Sequence, residues 1–227
     1  MRRSQSVLMS TICENCTLEY MAVTTSSMRK RLAIMDAAKQ SFLAVGFTDT
    51  NLDDVAATAG VSKMTVYSHF SSKQNLFVAI MNDVIDVRSA DGHRLEVGSS
   101  PADFGATLTA IATELVETVR DPEVVGFRRV LVQEQSRHPG LAAAWRKATV
   151  VATTAELEQF FASARRQGFL VRRVEPRAVA SQFLWMLIGE ELDRALLDPG
   201  HDTVTPAVRA REVVATVLGA YAASVTD

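Results

Sequence analysis

One stretch limits this chain more than any other: NLDDVAATAGVSKMTVYSHF, Asn51 to Phe70. It reads as two short helices around a tight turn. Asn51 with Asp54 makes a capping box ahead of apolar residues, and Thr50 with Asp53 offers the same device one position earlier. Leu52, Val55, Ala56 and Ala59 share one face at helical spacing. Gly60 closes the first helix, because glycine enters the left-handed backbone region without a Cβ penalty. Ser62 is a good cap for a second helix, expected over Lys63 to His69 with Val66 and Phe70 turned inward. Its outward side then carries Lys63, Met64, Thr65, Tyr67, Ser68 and His69. Nucleic-acid readers use a helix–turn–helix of this build, with the second helix in the major groove. Capped helix pairs around a glycine also occur as plain core in all-α domains.

The flanks supply two more helices. From Met28 to Val45, Leu32, Met35, Ala38, Phe42 and Val45 recur at three- and four-residue steps and predict one apolar stripe. Arg29, Lys30 and Arg31 crowd the start of that helix, where positive charge opposes the dipole and phosphate contact would explain it. After Phe70, Ser71 or Ser72 caps a long helix expected to reach about Leu95, with Leu76, Phe77, Ile80, Val84 and Val87 inside. Lys73 lies in its first turn, again against the dipole, which calls for an anionic partner.

Residue identities narrow the reading. Ile34-Met35-Asp36-Ala37-Ala38, Phe42 and Gly46-Phe47 are followed by Asp54-Val55-Ala56 and Ala59-Gly60-Val61-Ser62. Thr65-Val66-Tyr67, His69-Phe70, Ser72-Lys73 and Leu76-Phe77 complete the run. Across Arg29 to Met81 this resembles the N-terminal DNA-binding domain of the tetracycline-repressor (TetR) family. The resemblance implies an all-α fold of about nine or ten helices: a three-helix helix-turn-helix domain, then a helical domain that binds an effector and dimerises. It implies a regulator, a repressor by expectation, on a pseudo-palindromic operator. Phosphate positioning falls to Thr50 or Asn51, Tyr67 and Lys73. Base reading falls to Lys63, Met64, Thr65, Ser68 and His69, with Ser62 at the helix start. Two departures from the family pattern, Asn51 and Met64, leave base preference open; a methionine there can touch a thymine methyl or fill a gap.

The expected domains are an irregular, disordered arm over 1–27, the reader with its linking helix over 28–95, and an effector-binding and dimerisation domain over 96–227, divided at Val97-Gly98-Ser99-Ser100-Pro101. Helices are expected over Pro101–Arg120, from Asp121-Pro122 to a break at Pro139-Gly140, over Leu141–Gln167, from Pro176 and from Pro206. The resemblance assigns the last two, 176–197 and 206–225, to a homodimer interface, where small Gly219, Ala220, Ala222 and Ala223 would permit close approach. It also implies an effector pocket. Phe104, Leu108, Phe127, Leu131, Trp145, Phe160, Phe161, Phe183, Trp185 and Met186 are the large side chains able to line one. Glu134 and Glu190 are candidate polar anchors, which would suit a cationic or hydrogen-bonding ligand.

Bulk properties fit this reading. Net charge is −2, yet residues 28–80 hold six Lys/Arg against four Asp/Glu, so only the motif region is basic. No apolar run is long enough to span a bilayer, so no membrane association is expected. Cys13 and Cys16 are the only cysteines; a C-x-x-C pair can be half a zinc site or a redox pair, but no His–Cys cluster follows. No disulfide framework, metal or cofactor is expected, and a reducing cytoplasm is the default. No catalytic constellation emerges either: the chain lacks a nucleophile elbow, a phosphate-cradling glycine loop and an H-E-x-x-H motif.

Overall fold

The computed structural model describes residues 4–89, 96–198 and 204–223, with side chains over 26–85, 96–198 and 204–223. These form α1 (Ser4–Asp49), α2 (Leu52–Thr58), α3 (Lys63–Phe70), α4 (Lys73–Ser89), α5 (Pro101–Arg120), α6 (Pro122–Glu134), α7 (Pro139–Arg146), a π-helical turn (Lys147–Val151), α8 (Ala152–Arg166), α9 (Pro176–Leu197) and α10 (Pro206–Tyr221). Among the described residues β structure is confined to one isolated bridge, Leu170 to Ala222. The fold is all-α, as expected.

The chain divides into two units, Met1–Ile80 and Met81–Asp227, and the division falls inside α4. The loop at Val97–Pro101, expected as the boundary, therefore lies within the second unit.

The first unit is built on an aromatic cluster. Phe42 stacks on Phe47 at 5.7 Å between ring centroids, and Phe77 of α4 meets both edge-on at 5.0 and 5.4 Å. Edge-to-face and offset pairs suit the ring quadrupoles. Leu52, Val55, Val66 and Phe70 close the core from α2 and α3. The buried stripe of α1 is Ile34, Met35, Ala37, Ala38 and Phe42, whereas Leu32 and Val45 are exposed. The expected stripe thus drifted off the true face at both ends. At 34, 38 and 42 a strict four-residue step does the packing instead. The helix kinks at Gly46 (φ 84), the positive φ that lets the chain leave α1. In the other direction α1 runs back to Ser4 rather than starting at Met28, since no glycine or proline between 4 and 27 stops a helix. The side chains of that expected arm, Cys13 and Cys16 included, lie outside the described residues up to residue 25.

In the second unit α5 packs on α10 and α9, and α8 on α9. Phe104, Leu108, Phe160, Phe161, Phe183, Leu187 and Val217 fill the space between them. Proline at the first position opens α5, α6, α7, α9 and α10, where its missing N–H costs no bond. Pro139 therefore starts a helix rather than only breaking one. The single helix expected over Leu141–Gln167 is two helices joined by the π turn. Among the described residues a buried carboxylate, Glu191, lies in this core: Arg120 grips it through Nε and Nη2, both at 2.7 Å, and Arg209 Nε lies 3.6 Å away.

Candidate nucleic-acid interface and ligand cavity

The capping ambiguity before α2 is resolved by Asn51, whose Oδ1 accepts from the Asp53 N–H at 2.9 Å. Thr50 is only 3% exposed, and its hydroxyl donates to the Gly46 carbonyl at 2.7 Å. The Thr50 side chain is thus a brace across the α1 kink, not an outward contact as one expectation had it; a short β-branched alcohol beside a kinked carbonyl is drawn inward by that bond.

Gly60 (φ 66) turns the chain between α2 and α3. Ser62 Oγ then accepts from the Thr65 N–H at 3.1 Å and pairs with the Thr65 hydroxyl at 2.9 Å. Val66 and Phe70 hold α3 against the core while Lys63, Met64, Tyr67 and Ser68 face solvent, Met64 at 77%. Thr65 and His69 are half-buried. All six side chains singled out on α3 thus reach the surface wholly or in part. Lys63 is not idle there: its ammonium lies 2.8 Å from Asp53, and this hydrogen-bonded pairing raises its pKa. Both partners are solvent-exposed, so the pair is cheap to exchange for another anion.

The Lys73 ammonium donates to the carbonyls of Thr48 and Thr50, at 2.9 and 2.8 Å, and lies 4.9 Å from the Phe47 ring centre. The partners sought for this cation thus include the carbonyl oxygens at the end of α1. Arg31 lies over the Phe70 ring at 4.5 Å, so one cation of the α1 cluster braces the end of α3.

The second unit contains a cavity of about 740 Å³ walled by α5, α6, α7, the π turn, α8 and α9, with Ile85 of α4 also on its lining. Of the twelve side chains expected to line a pocket, only Trp145 and Phe160 line this cavity. Phe104, Leu108, Phe127, Leu131, Phe161 and Phe183 are fully or nearly buried core, because the largest side chains fill the centre of the bundle. Glu134 is buried but off the cavity wall. Trp185 and Met186 are exposed, and Glu190 is 47% exposed, held on the surface by Arg194 and Arg209. Glu191, one step further and 3% exposed, is the buried carboxylate. The rest of the apolar wall includes Ile111, Leu115, Val119, Leu157, Leu184 and Ile188.

Sequence reasoning missed Arg128. It lies on the cavity wall, with its guanidinium 5.9 Å from the Trp145 ring centre, and its Nε is buried without a hydrogen-bond partner. Burial lowers its pKa to about 10. The available signal was the Arg128-Arg129 doublet in an apolar helix: neighbours on a helix point about 100° apart, so one of two must turn inward. Among the described residues no cluster of His, Cys, Asp and Glu could hold a metal ion.

Comparison with known proteins is consistent along both units. Residues 34–80 match the family described as bacterial regulatory proteins, tetR family, and residues 106–223 match the AefR-like transcriptional repressor C-terminal domain. The HTH-type transcriptional regulator SrpR of Pseudomonas putida is 30% identical over 113 residues, 49% of this chain and 49% of SrpR. The chain thus aligns with about half the length of that relative. The HTH-type regulator TtgW of the same species, itself uncharacterized, is 30% identical over 49% of this chain and 78% of TtgW. The structure of the flavonoid-responsive regulator FrrA superposes with a TM-score of 0.71 at 30% identity, over 86% of this chain and 97% of that one.

Proposed function

Because this chain belongs to the tetR family of bacterial regulatory proteins and is a transcriptional regulator, not an enzyme, we propose that it is a ligand-released repressor that binds a pseudo-palindromic operator as a homodimer. The observation that carries this reading is the two-sided character of α3. Val66 and Phe70 fix it to the core, and Lys63, Met64, Tyr67 and Ser68 are left bare on a helix too short to need that face for its own stability. Bases are read by Lys63, Met64, Thr65, Ser68 and His69, and phosphates are held by Asn51, Tyr67 and Lys73. Ser62 sets the helix start. The protein works in the cytoplasm, where the chromosome is; among the described residues no helix is long and apolar enough to cross a membrane.

Dimerisation is supported by apolar surface on α9 and α10. Trp185 is 48% exposed, Met186 lies beside it, and Thr216, Ala220 and Tyr221 complete a shallow groove there. Exposed Gly219, Ala220 and Ala222 allow close helix approach. A two-fold pair reads two half-sites and combines their contact energies.

The effector enters the cavity of the second unit. FrrA is a flavonoid-responsive regulator; response to a small organic molecule is the part of that behaviour assigned here. Ile85 of α4 lines the cavity, and Leu76, Phe77 and Ile80 of the same helix form the reader's core. A ligand pressing on α4 biases the subunits toward an arrangement whose reading helices no longer match a groove spacing of roughly 34–36 Å.

Selection of bound fragments from the source genome tests the proposal. Met64→Ala and Thr65→Val are expected to change the enriched base sequence while the protein still binds DNA. Unchanged base preference in both variants, or failure of the unaltered protein to enrich any fragment at low salt, would sink it.

A further inference from the structure

We infer that the cavity is built for a monoanionic amphipath, a single carboxylate on a largely apolar body, with Arg128 as the group that receives the carboxylate. This rests on the reading of the cavity as the effector site and adds the chemical class.

A guanidinium inside a protein is ordinarily matched by a carboxylate or by carbonyls, because an unpaired buried charge is costly. Here Arg120, half-buried in the same unit, has Glu191 at 2.7 Å and the Val204 carbonyl at 2.8 Å. Arg128 has neither. Among the described residues it has no hydrogen bond or ion pair, its Nε is shut off from solvent, and its one neighbour of note is the Trp145 ring. Arg128 lines a space of about 740 Å³, within the roughly 300–1,000 Å³ range of small-molecule sites. Planar donors in a fork match a carboxylate in two parallel bonds. The pKa of about 10 keeps the group charged at neutral pH. Aliphatic and aromatic side chains together make up just over half of the rest of the wall, so the body of the ligand is largely apolar.

The other charged groups on the wall limit the charge to one. Glu96 and Glu156 are exposed at the edge, and Glu114 also lines the cavity. Three carboxylates disfavour a dianion and accept from any hydroxyl the ligand body carries. Arg166, also on the lining, is exposed and already solvated. The π turn lies on the same wall, where it places Thr149 and Val150, and π bulges are frequent at functional sites.

The test is isothermal titration of the full chain with three probes of one tail length: decanoate, decanol and decyltrimethylammonium. The unaltered protein is expected to bind decanoate about tenfold or more tighter than decanol, the range of a charge-assisted bond, and the cation weakest. Arg128→Met should erase the preference for decanoate over decanol; Arg128→Lys should restore part of it. The comparison of head groups in the unaltered protein needs no variant, and a thermal melt confirms that Arg128→Met folds. Equal binding of decanoate and decanol, tighter binding of the cation, or a preference that survives Arg128→Met overturns the class, while decanol binding that releases operator DNA leaves the effector-site reading standing. If none of the three probes binds, the class falls as well.

Discussion

Lys73 carries a charge at the end of α4 where the dipole opposes it, and its geometry explains why. The ammonium ties the Thr48 and Thr50 carbonyls, and so the exit from α1, to the start of α4. Lys73→Ala is therefore expected to act twice. It should cost about 1–2 kcal/mol of stability, the scale of hydrogen bonds from a charged donor at a half-buried position. It should also weaken binding to every DNA sequence alike and lower the salt dependence by about one counterion, because a cation at this edge of the reader attracts a phosphate whatever the base beside it. Urea denaturation and titrations at several salt concentrations check the two parts separately; a changed base preference would contradict the second. Lys73 was legible in sequence because it broke a rule for helix ends. Arg128 was not, and neither was the exchange of Glu190 for Glu191, because one step along a helix turns a side chain by about 100° and spacing alone does not fix the phase.

At the scale of elements, the helix pair around Gly60 was readable in detail. Its caps are local chemistry: Asn51 on the Asp53 N–H and Ser62 on the Thr65 N–H depend on no distant partner. The break between α7 and α8 was not readable. Residues 147–151 contain neither glycine nor proline, and a π turn is stabilised by the packing around it rather than by its own sequence. The large aromatics misled for a related reason, since periodicity marks a buried face without saying whether it meets another helix or an empty space. Gly60 itself gives an element-scale prediction. At φ 66, with nothing within 4 Å of where a Cβ would stand, the position has room but the wrong backbone for other residues. Gly60→Ala should cost about 1–2 kcal/mol from the left-handed backbone alone, and Gly60→Asn less. Equal melting temperatures for the two variants would show that the turn can relax.

For the whole molecule, the proposal turns on a second copy. Trp185 is large, apolar and half out in solvent on a face that has no use for it within one subunit. Trp185→Glu should place two like charges in the pairing surface, shift sedimentation toward a monomer, and weaken operator binding by orders of magnitude while the thermal melt of the dilute subunit stays the same. A variant that remains dimeric would move the pairing surface elsewhere.

The end of α10 is fastened as well. Ala223 donates to the Phe169 carbonyl and Val171 to that of Tyr221, both at 3.0 Å, around the Leu170–Ala222 bridge. Near its start Arg209 is paired with Glu190, and Arg120 holds the Val204 carbonyl. A helix stitched at both ends into its own chain is a poor candidate for exchange between subunits. Two finished surfaces would meet, and dilution would return intact, helical single chains instead of unravelled ones.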